Sequence, residues 1–384
     1  MSKVCRTRLL FSFAVLLATA SAALASNLDQ YYWEQREQAL TLKYTAPDNL
    51  TKKVELNIRR IKREGAPPVI ISHAVVLSNI AMRGLGHLLW ERGYDVWMPN
   101  TRGHGSGAEL SKVEPYTTGD YGFDNIVTED WPQLLKHVYG ETSKKVSIIG
   151  YSMGGMSWEQ FLSGVYKEHG RINQSDDLAR SYTEWVNGFI GIVVPPDFEK
   201  TSPTVKDLLP LLPCMDKSFF IPLTVGPSNF LCFRIKSLMR NIVMGFAANQ
   251  TYTWLPKGII ELEQLDLAKQ DYRDFVLTRV SSPHTDYIQD FLRWFKTDYL
   301  SKDGHVNYGL NKKIFVPTLQ IVATKDSLAP ADQIIEKTKL FPNNARVQIL
   351  KMEGFAHIDI SMRKGVQAMS EPILHFLESL TPGH

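Results

Sequence analysis

Long apolar runs are scarce in this sequence of 384 residues. The first begins after the basic residues Lys3, Arg6 and Arg8, and Ala23-Leu24-Ala25 follows it. A basic start, a short apolar run and an A-x-A motif are typical of a secretory signal peptide, so we expect cleavage after residue 25. The alternative is an uncleaved membrane anchor, but a span needs about 20 apolar residues and this run is shorter. No later stretch is long enough, and we expect a secreted or periplasmic protein.

Excess charge of one sign is also missing. The chain has 43 basic and 40 acidic residues, and three of the basic ones lie in the predicted signal peptide 1–25. The balance of 40 against 40 predicts no basic surface for nucleic acid. Neither a G-x-G-x-x-G nor a P-loop motif occurs, so no nucleotide is implied. His357 and Asp359 form a weak H-x-D pair without further ligand candidates nearby, and we expect no metal and no other cofactor.

Cysteine occurs only three times, and Cys5 belongs to the predicted signal peptide. Cys214 and Cys232 therefore remain for the exported chain. A disulfide between them is one interpretation, because an exported protein meets an oxidising compartment. Two free thiols in an apolar segment are the other, since two cysteines alone do not establish a geometry.

Short apolar runs alternate with helical patterns along most of the chain. Alternating character predicts an outer antiparallel strand at 54–61. Continuous apolar runs predict buried strands at 67–76, 94–100, 145–150, 186–194, 316–324 and 345–352. Helical spacing predicts helices at 80–92, 123–138 (interrupted by Pro132), 331–340 and 364–380. This alternation predicts one α/β domain over 26–384, with a mostly parallel sheet and helices on both faces.

The alternation fails between about residues 196 and 312. This segment is rich in Leu, Phe, Met and Pro, as in "DLLPLLPCMDKSFFIPL". An apolar insertion between late strands of an α/β sheet favours a helical cap, or lid, over a ligand site. An ordinary extra layer of helices is the alternative.

The motif Gly150-Tyr151-Ser152-Met153-Gly154 stands between a predicted buried strand and a predicted helix. G-x-S-x-G in that context is a nucleophile elbow, in which a sharp strained turn exposes the serine hydroxyl. Gly150 and Gly154 leave room where strand and helix backbones nearly touch. The positive end of the helix dipole points at the hydroxyl, and the N–H of Met153 is expected to be one oxyanion donor.

A serine hydroxyl needs a base, and the expected chain order is Ser, then Asp or Glu, then His. Asp326 follows one late strand and His357 the next, which brings both to the sheet edge where Ser152 lies. We therefore predict Ser152 as nucleophile, His357 as base and Asp326 as the residue that orients it. The competing residues lack this context: His284, His305, Asp332 and Glu353.

The second oxyanion donor should come from the loop after the strand at 67–76. The N–H of Val75 is the candidate, and a loop amide without a catalytic role is the alternative. His73, in the same loop, and His104, after the next strand, are interpreted as structural.

Four segments resemble the acid lipases, the gastric and lysosomal type of triacylglycerol and steryl ester hydrolases. They are "RGYDVWMPNTRG" (92–103), "YGFDNIVTEDWPQLLKHV" (121–138), "SSPHTDYIQDFLRWFKTDYL" (281–300) and "EGFAHIDI" (353–360). The resemblance implies the α/β-hydrolase fold, the same three catalytic residues, and oxyanion donors at Val75 and Met153. The chain departs from the family at the elbow, where Tyr151 and Met153 replace His and Gln, and at Ala74, where the family has Gly.

These features together predict a serine carboxylester hydrolase, a lipase or esterase that forms an acyl-enzyme on Ser152. The apolar cap indicates an apolar ester or lipid substrate and a transient contact with a lipid interface. Acyl transfer, thioester hydrolysis and peptidase action by the same residues remain alternatives. An alternative of another class is a catalytically inactive lipid-binding protein on the same fold.

Overall fold

The computed structural model describes residues 36–75, 77–105, 107–197, 285–294, 299–342 and 346–380. The predicted signal peptide and the cysteines Cys214 and Cys232 lie outside these residues. Most of the predicted cap at 196–312 does so too. These three predictions therefore stay predictions.

Strands and helices alternate as the apolar pattern predicts. The strands are β1 (Glu37–Thr45), β2 (Lys53–Ile61), β3 (Pro68–Ser72), β4 (Asp95–Pro99), β5 (Lys112–Glu114), β6 (Val146–Tyr151), β7 (Val165–Glu168), β8 (Arg171–Gln174), β9 (Val186–Ile192), β10 (Thr318–Ala323) and β11 (Val347–Met352). The α-helices are α1 (Arg83–Glu91), α2 (Trp131–Thr142), α3 (Met153–Leu162), α4 (Asp176–Ser181), α5 (Thr285–Trp294), α6 (Ala331–Thr338) and α7 (Arg363–Ser379). Short 3₁₀ turns occupy Asn79–Met82, Gly107–Glu109, Tyr182–Glu184 and Asp359–Ser361.

Within the described residues, nine strands form one sheet in the order β1-β2-β4-β3-β6-β9-β10-β11, with β5 paired to β2. The pairs from β4 to β11 are parallel, whereas β2 is antiparallel to β1, β4 and β5. The predicted mostly parallel sheet is thus confirmed, as is the antiparallel strand β2. β7 and β8 form a separate hairpin.

Both faces of the central strands are covered, as in parallel sheets generally. Successive residues of β6 point to opposite faces, so Ile148 joins one apolar core and Ile149 the other. The first core includes Trp131 of α2 and Trp158 of α3, whose rings stack. The second core includes residues of α1 and α7. The predicted layers on both faces are confirmed.

Pro132 does not interrupt its helix. A short helix (Phe123–Asn125) and a π-helical turn (Ile126–Asp130) lead directly into α2, with Pro132 in the first turn of α2. Proline lacks an N–H and its ring collides with the carbonyl four residues earlier in a regular α-helix. The wider π turn accommodates the ring and lets the helix continue.

A long connection follows β9 in the chain. β9 and β10 are neighbours in the sheet, yet residues 193–317 lie between them. α5, near the end of this connection, is hydrogen-bonded to residues 119–123, which lead into the short helix before α2. The carboxylate of Asp286 accepts backbone hydrogen bonds from Gly119 and Tyr121, and that of Asp290 accepts one from Phe123. No helix of the described part of the chain is both long and apolar enough to span a membrane.

Candidate active site

Ser152 lies at the turn between β6 and α3. Its backbone has φ 51° and ψ −117°, a left-handed conformation that non-glycine residues adopt only when their surroundings impose it. A Cβ added at Gly150 would lie 2.5 Å from the Cα of Gly155, and one added at Gly154 would lie 2.6 Å from the hydroxyl of Ser72. The glycines therefore allow close approach of strand and helix, and Gly154 also makes room for the end of β3.

His357 connects Ser152 to Asp326. Its Nε2 lies 2.9 Å from the hydroxyl oxygen of Ser152, and its Nδ1 lies 2.7 Å from Oδ2 of Asp326. A carboxylate only accepts hydrogen bonds, so Nδ1 carries the proton and Nε2 accepts from the serine hydroxyl. All three side chains are buried. The structure thus brings together the three residues that the sequence singles out.

Asp326 is held in turn by its own loop. Its Oδ1 accepts hydrogen bonds from the backbone N–H groups of Leu328 (2.8 Å) and Ala329 (2.9 Å). These bonds leave Oδ2 directed at the imidazole and hold the carboxylate in place. Because β10 and β11 are parallel, with Ala323 paired to Met352, the loops that carry Asp326 and His357 leave the same sheet edge.

The competing residues lie elsewhere. Asp332, in the first turn of α6, is exposed, as are Glu353 and His305. His284 lies outside the described residues. None of the three described side chains has a hydrogen bond to His357 or Ser152 among the contacts found in the described part of the chain.

Val75 and Met153 lie just beyond the ends of the neighbouring strands β3 and β6, at matching distances from a paired position. Ser72 of β3 pairs with Gly150 of β6, and Val75 and Met153 each follow three residues later. Met153 is the first residue of α3, so its N–H is one of the free donors of a helix start. Both amides therefore leave the sheet at the edge where Ser152 lies.

Two buried histidines fix the loop around Val75. Nδ1 of His73 donates to the carbonyl of Ala74 (2.8 Å), and its Nε2 accepts from the N–H of Thr101 (3.1 Å). Nε2 of His104 donates to the carbonyl of Val75 (2.6 Å). Burial and the nearby His104 lower the pKa of His73 to about 3, so its ring stays neutral near pH 7. The carbonyls on both sides of the Val75 N–H are thus held in place.

Asp359, the second residue of the H-x-D pair, hydrogen-bonds to the backbone of its own segment. Asp359 is buried, and its Oδ2 accepts the backbone N–H of Ala356 at 2.9 Å, which braces the turn that carries His357. Across the residues that the structure describes, no group of three or more His, Cys, Asp or Glu side chains could hold a metal ion.

Strand order, elbow and the Ser–His–Asp arrangement define an α/β-hydrolase fold, and solved structures agree. An esterase from Thermogutta terrifontis matches 89% of this chain and 99% of its own, with a TM-score of 0.52 and 16% identity. A structure described as a lipase, from Acinetobacter baumannii AYE, matches 91% of this chain and 96% of its own, with a TM-score of 0.53 and 15% identity. An epoxide hydrolase from Vigna radiata matches 90% of this chain and 99% of its own, with a TM-score of 0.51 and 15% identity. At such identities these matches show the fold alone.

Sequence comparison adds a more particular similarity. Triacylglycerol lipase 2 of Arabidopsis thaliana is 32% identical over 117 residues, which are 26% of this chain and 28% of that lipase. Gastric triacylglycerol lipase of Bos taurus is 30% identical over 97 residues, 23% and 24% of the two chains. The chain thus matches only about a quarter of the length of these curated relatives. No family model matches it.

Proposed function

We propose that this protein is a serine carboxylester hydrolase that acts through an acyl-enzyme on Ser152. The observation that carries the proposal is the relay from Ser152 Oγ to His357 Nε2 (2.9 Å) and from His357 Nδ1 to Asp326 Oδ2 (2.7 Å) at a strained elbow. The similarity to triacylglycerol lipases over part of the chain supports an ester as substrate.

The first half-reaction forms the acyl-enzyme. Ser152 Oγ attacks the carbonyl carbon of the ester while His357 Nε2 takes the hydroxyl proton. Asp326 stabilises the resulting imidazolium through Nδ1–H. The negative oxygen of the tetrahedral intermediate accepts hydrogen bonds from the N–H groups of Met153 and Val75. When the intermediate collapses, the C–O bond to the alcohol breaks and His357 returns its proton to the leaving oxygen.

The second half-reaction uses water in place of the alcohol. His357 removes a proton from water, the hydroxide oxygen attacks the acyl carbon, and the carboxylic acid leaves as Ser152 recovers its proton. The protein's part is to hold the relay and to present two oriented amides, and no cofactor is needed for either step. Acyl transfer differs only in the acceptor, and the intact relay argues against an inactive lipid-binding scaffold.

The substrate class and location rest on the sequence. The Leu-, Phe- and Met-rich segment at 196–312 belongs to the connection between β9 and β10, which supports a cap of apolar character over the site. We infer a substrate with an apolar acyl chain and a transient contact of the cap with a lipid interface. The N-terminal pattern up to Ala25 supports export to the periplasm or beyond.

Hydrolysis of p-nitrophenyl esters from acetate to palmitate tests this proposal, with product analysis in the presence of an alcohol. We expect turnover that rises with acyl length and yields free acid. A preference for acetate would restrict the enzyme to small esters, and ester products would favour acyl transfer. No turnover of any ester, together with no labelling of Ser152 by a fluorophosphonate, would refute the hydrolase proposal.

A further inference from the structure

Tyr151, the last residue of β6, links the elbow to the segment that carries the base. Its hydroxyl donates a hydrogen bond of 2.8 Å to the backbone carbonyl of His357, 206 positions along the chain. Its ring packs beside the imidazole of His357, with centroids 5.8 Å apart and planes 27° apart. The side chain is 2% exposed, so this contact is shielded from water. Tyr151, which directly precedes Ser152, therefore contacts both the backbone and the ring of His357.

The backbone before His357 has separate ties to the β10 side of the sheet. The N–H of Lys325 donates to the carbonyl of Phe355 (2.9 Å), and the N–H of Gly354 donates to the hydroxyl of Thr324 (3.0 Å). Lys325 directly precedes Asp326 in the chain. These bonds relate the His357 segment to Asp326, but neither reaches β6.

The imidazole of His357 contacts Asp326 and Ser152, and the residue before each of them donates a hydrogen bond to the backbone of the His357 segment. The residue before Asp326 bonds the carbonyl of Phe355, and the residue before Ser152 bonds the carbonyl of His357 itself. Ser152 is held rigidly by its strained turn and by its N–H, which donates to Ile192 (2.9 Å). Because the Tyr151 ring has no flexible tail, it fixes the spacing between the elbow and the His357 backbone.

We propose that Tyr151 is a positioning residue that sets the distance between Ser152 Oγ and His357 Nε2. This inference rests on the proposed function, since the distance matters only if His357 takes the serine proton. A phenylalanine would fill the same apolar space, so the hydroxyl is the part that positions His357. Burial raises the pKa of this hydroxyl, which keeps it a donor across the working pH range.

Tyr151→Phe tests the inference, with Tyr308→Phe as the matched control. Tyr308 is equally buried, and its hydroxyl donates 2.7 Å to Asp124, away from the relay. Each substitution removes one buried hydroxyl donor, and the hydroxyl of Tyr151 also has a side-chain hydrogen bond with Ser361, on the same segment as His357. We expect Tyr151→Phe to lower kcat about tenfold with KM little changed, the size of effect expected for one neutral hydrogen bond. The rate of fluorophosphonate labelling at Ser152 should fall by the same factor.

The control separates positioning from stability. Tyr308→Phe should lower Tm by a similar amount and leave kcat and the labelling rate near those of the unmodified protein. If Tyr151→Phe lowers Tm but changes kcat and labelling by less than about twofold, Tyr151 is a core residue only and the inference is wrong. If the unmodified protein neither turns over esters nor is labelled, the proposed function fails and takes this inference with it.

A second pair of variants guards against poor folding of the phenylalanine variant. p-Aminophenylalanine at position 151 keeps a donor at the para position, whereas p-fluorophenylalanine has similar size and no donor. We expect the amino variant to keep most of kcat and the fluoro variant to lose about tenfold. Equal rates for the two would overturn the proposal.

Discussion

Two clusters of buried polar side chains differ in what surrounds their carboxylates. Glu37 of β1 accepts hydrogen bonds from Arg59 of β2 (2.8 Å) and from Arg83 of α1 (2.6 Å), and contacts His87 of α1 (3.0 Å). Asp326 instead accepts two backbone N–H groups and one imidazole, which leads on to Ser152. Both carboxylates are almost completely shielded from water.

The difference distinguishes a structural role of a buried carboxylate from the catalytic role that we propose for Asp326. Around Glu37 the partners include permanent cations, so the cluster fastens β1, β2 and α1 together. Around Asp326 the partner is a group that can gain and lose a proton, and it meets a hydroxyl on a strained turn. Burial of a carboxylate alone therefore does not mark a site. The proposed function rests instead on a chain of hydrogen bonds that ends at a hydroxyl on a strained turn.

The largest effect is expected for Asp326→Asn. The side-chain amide of asparagine would no longer hold His357 in the tautomer that carries its proton on Nδ1. We therefore expect kcat to fall about 10³- to 10⁴-fold with little change in KM. Asp332→Asn, on the exposed first turn of α6, is the matched control and should keep full activity. Steady-state kinetics with a p-nitrophenyl ester give the answer. Equal kinetics of the two variants would show that Asp326 has no role in orienting His357 for catalysis.

Glu37→Gln should show the opposite pattern, a loss of stability without a loss of rate. Removing one partner of a buried ion-pair cluster costs about 3 kcal/mol. Glu371→Gln breaks an exposed pair with Arg92 and should cost less than about 1 kcal/mol. Denaturant unfolding at neutral pH measures the free energy of unfolding of both variants. Their kcat, measured at a temperature well below Tm, should equal that of the unmodified protein. Lower kcat in folded Glu37→Gln would contradict the division between the two clusters.

The Glu37 cluster also predicts a pH dependence. Burial alone would raise the pKa of Glu37, but the hydrogen bonds from His87 and Arg83 and the charges of Arg83 and Arg59 lower it to about 2. The unfolded value is near 4.5, so the stabilisation is present above pH 4.5 and is lost as pH falls towards 2. The gap in stability between Glu37→Gln and the unmodified protein should narrow over that window.

A smaller effect is expected in the loop that carries Val75. In His104→Gln the side-chain amide nitrogen can reach the position of imidazole Nε2 and keep the bond to the Val75 carbonyl. In His104→Asn the nitrogen can replace only Nδ1, which faces Thr101. We expect kcat to fall about tenfold in the asparagine variant and far less in the glutamine variant. The same kcat in both would show that this bond does not support the proposed oxyanion donor, the N–H of Val75.

The smallest effect concerns Asp124, a buried carboxyl outside both clusters. Burial and the charge of Asp290 raise the pKa of Asp124 from 3.8 to about 6. The folded protein therefore keeps a proton that the unfolded chain releases, and this contribution to stability is lost as pH rises through about 6. Asp124→Asn lacks the titration, so its Tm relative to the unmodified protein should rise between pH 4 and about 7. Parallel Tm curves for the two proteins would contradict this.

Much of the fold and the candidate relay could be predicted because both depend on local patterns. Continuous apolar runs mark buried strands, and residues that follow parallel strands share one sheet edge. Ser152, Asp326 and His357 each follow such a strand, so their chain order was informative. β1 was missed, although the alternation of Leu40, Leu42 and Tyr44 marks it.

Other features depend on contacts between distant parts of the chain. The bond from Tyr151 to the His357 carbonyl joins residues 206 positions apart, and no local pattern encodes it. The Glu37 cluster needs three separate elements to meet. The π turn before Pro132 likewise has no local sequence marker, because the proline by itself indicates a break in the helix.

Ester hydrolysis by Ser152→Ala, compared with Ser157→Ala, tests the central claim most directly. Ser157 lies on α3 and is also buried, but its hydroxyl donates to the carbonyl of Gly154 instead of to His357. If Ser152 is the nucleophile, its alanine variant loses about 10³-fold or more in kcat, while the Ser157 variant stays within about threefold of the unmodified protein. Retention of most of the activity in folded Ser152→Ala would contradict the account.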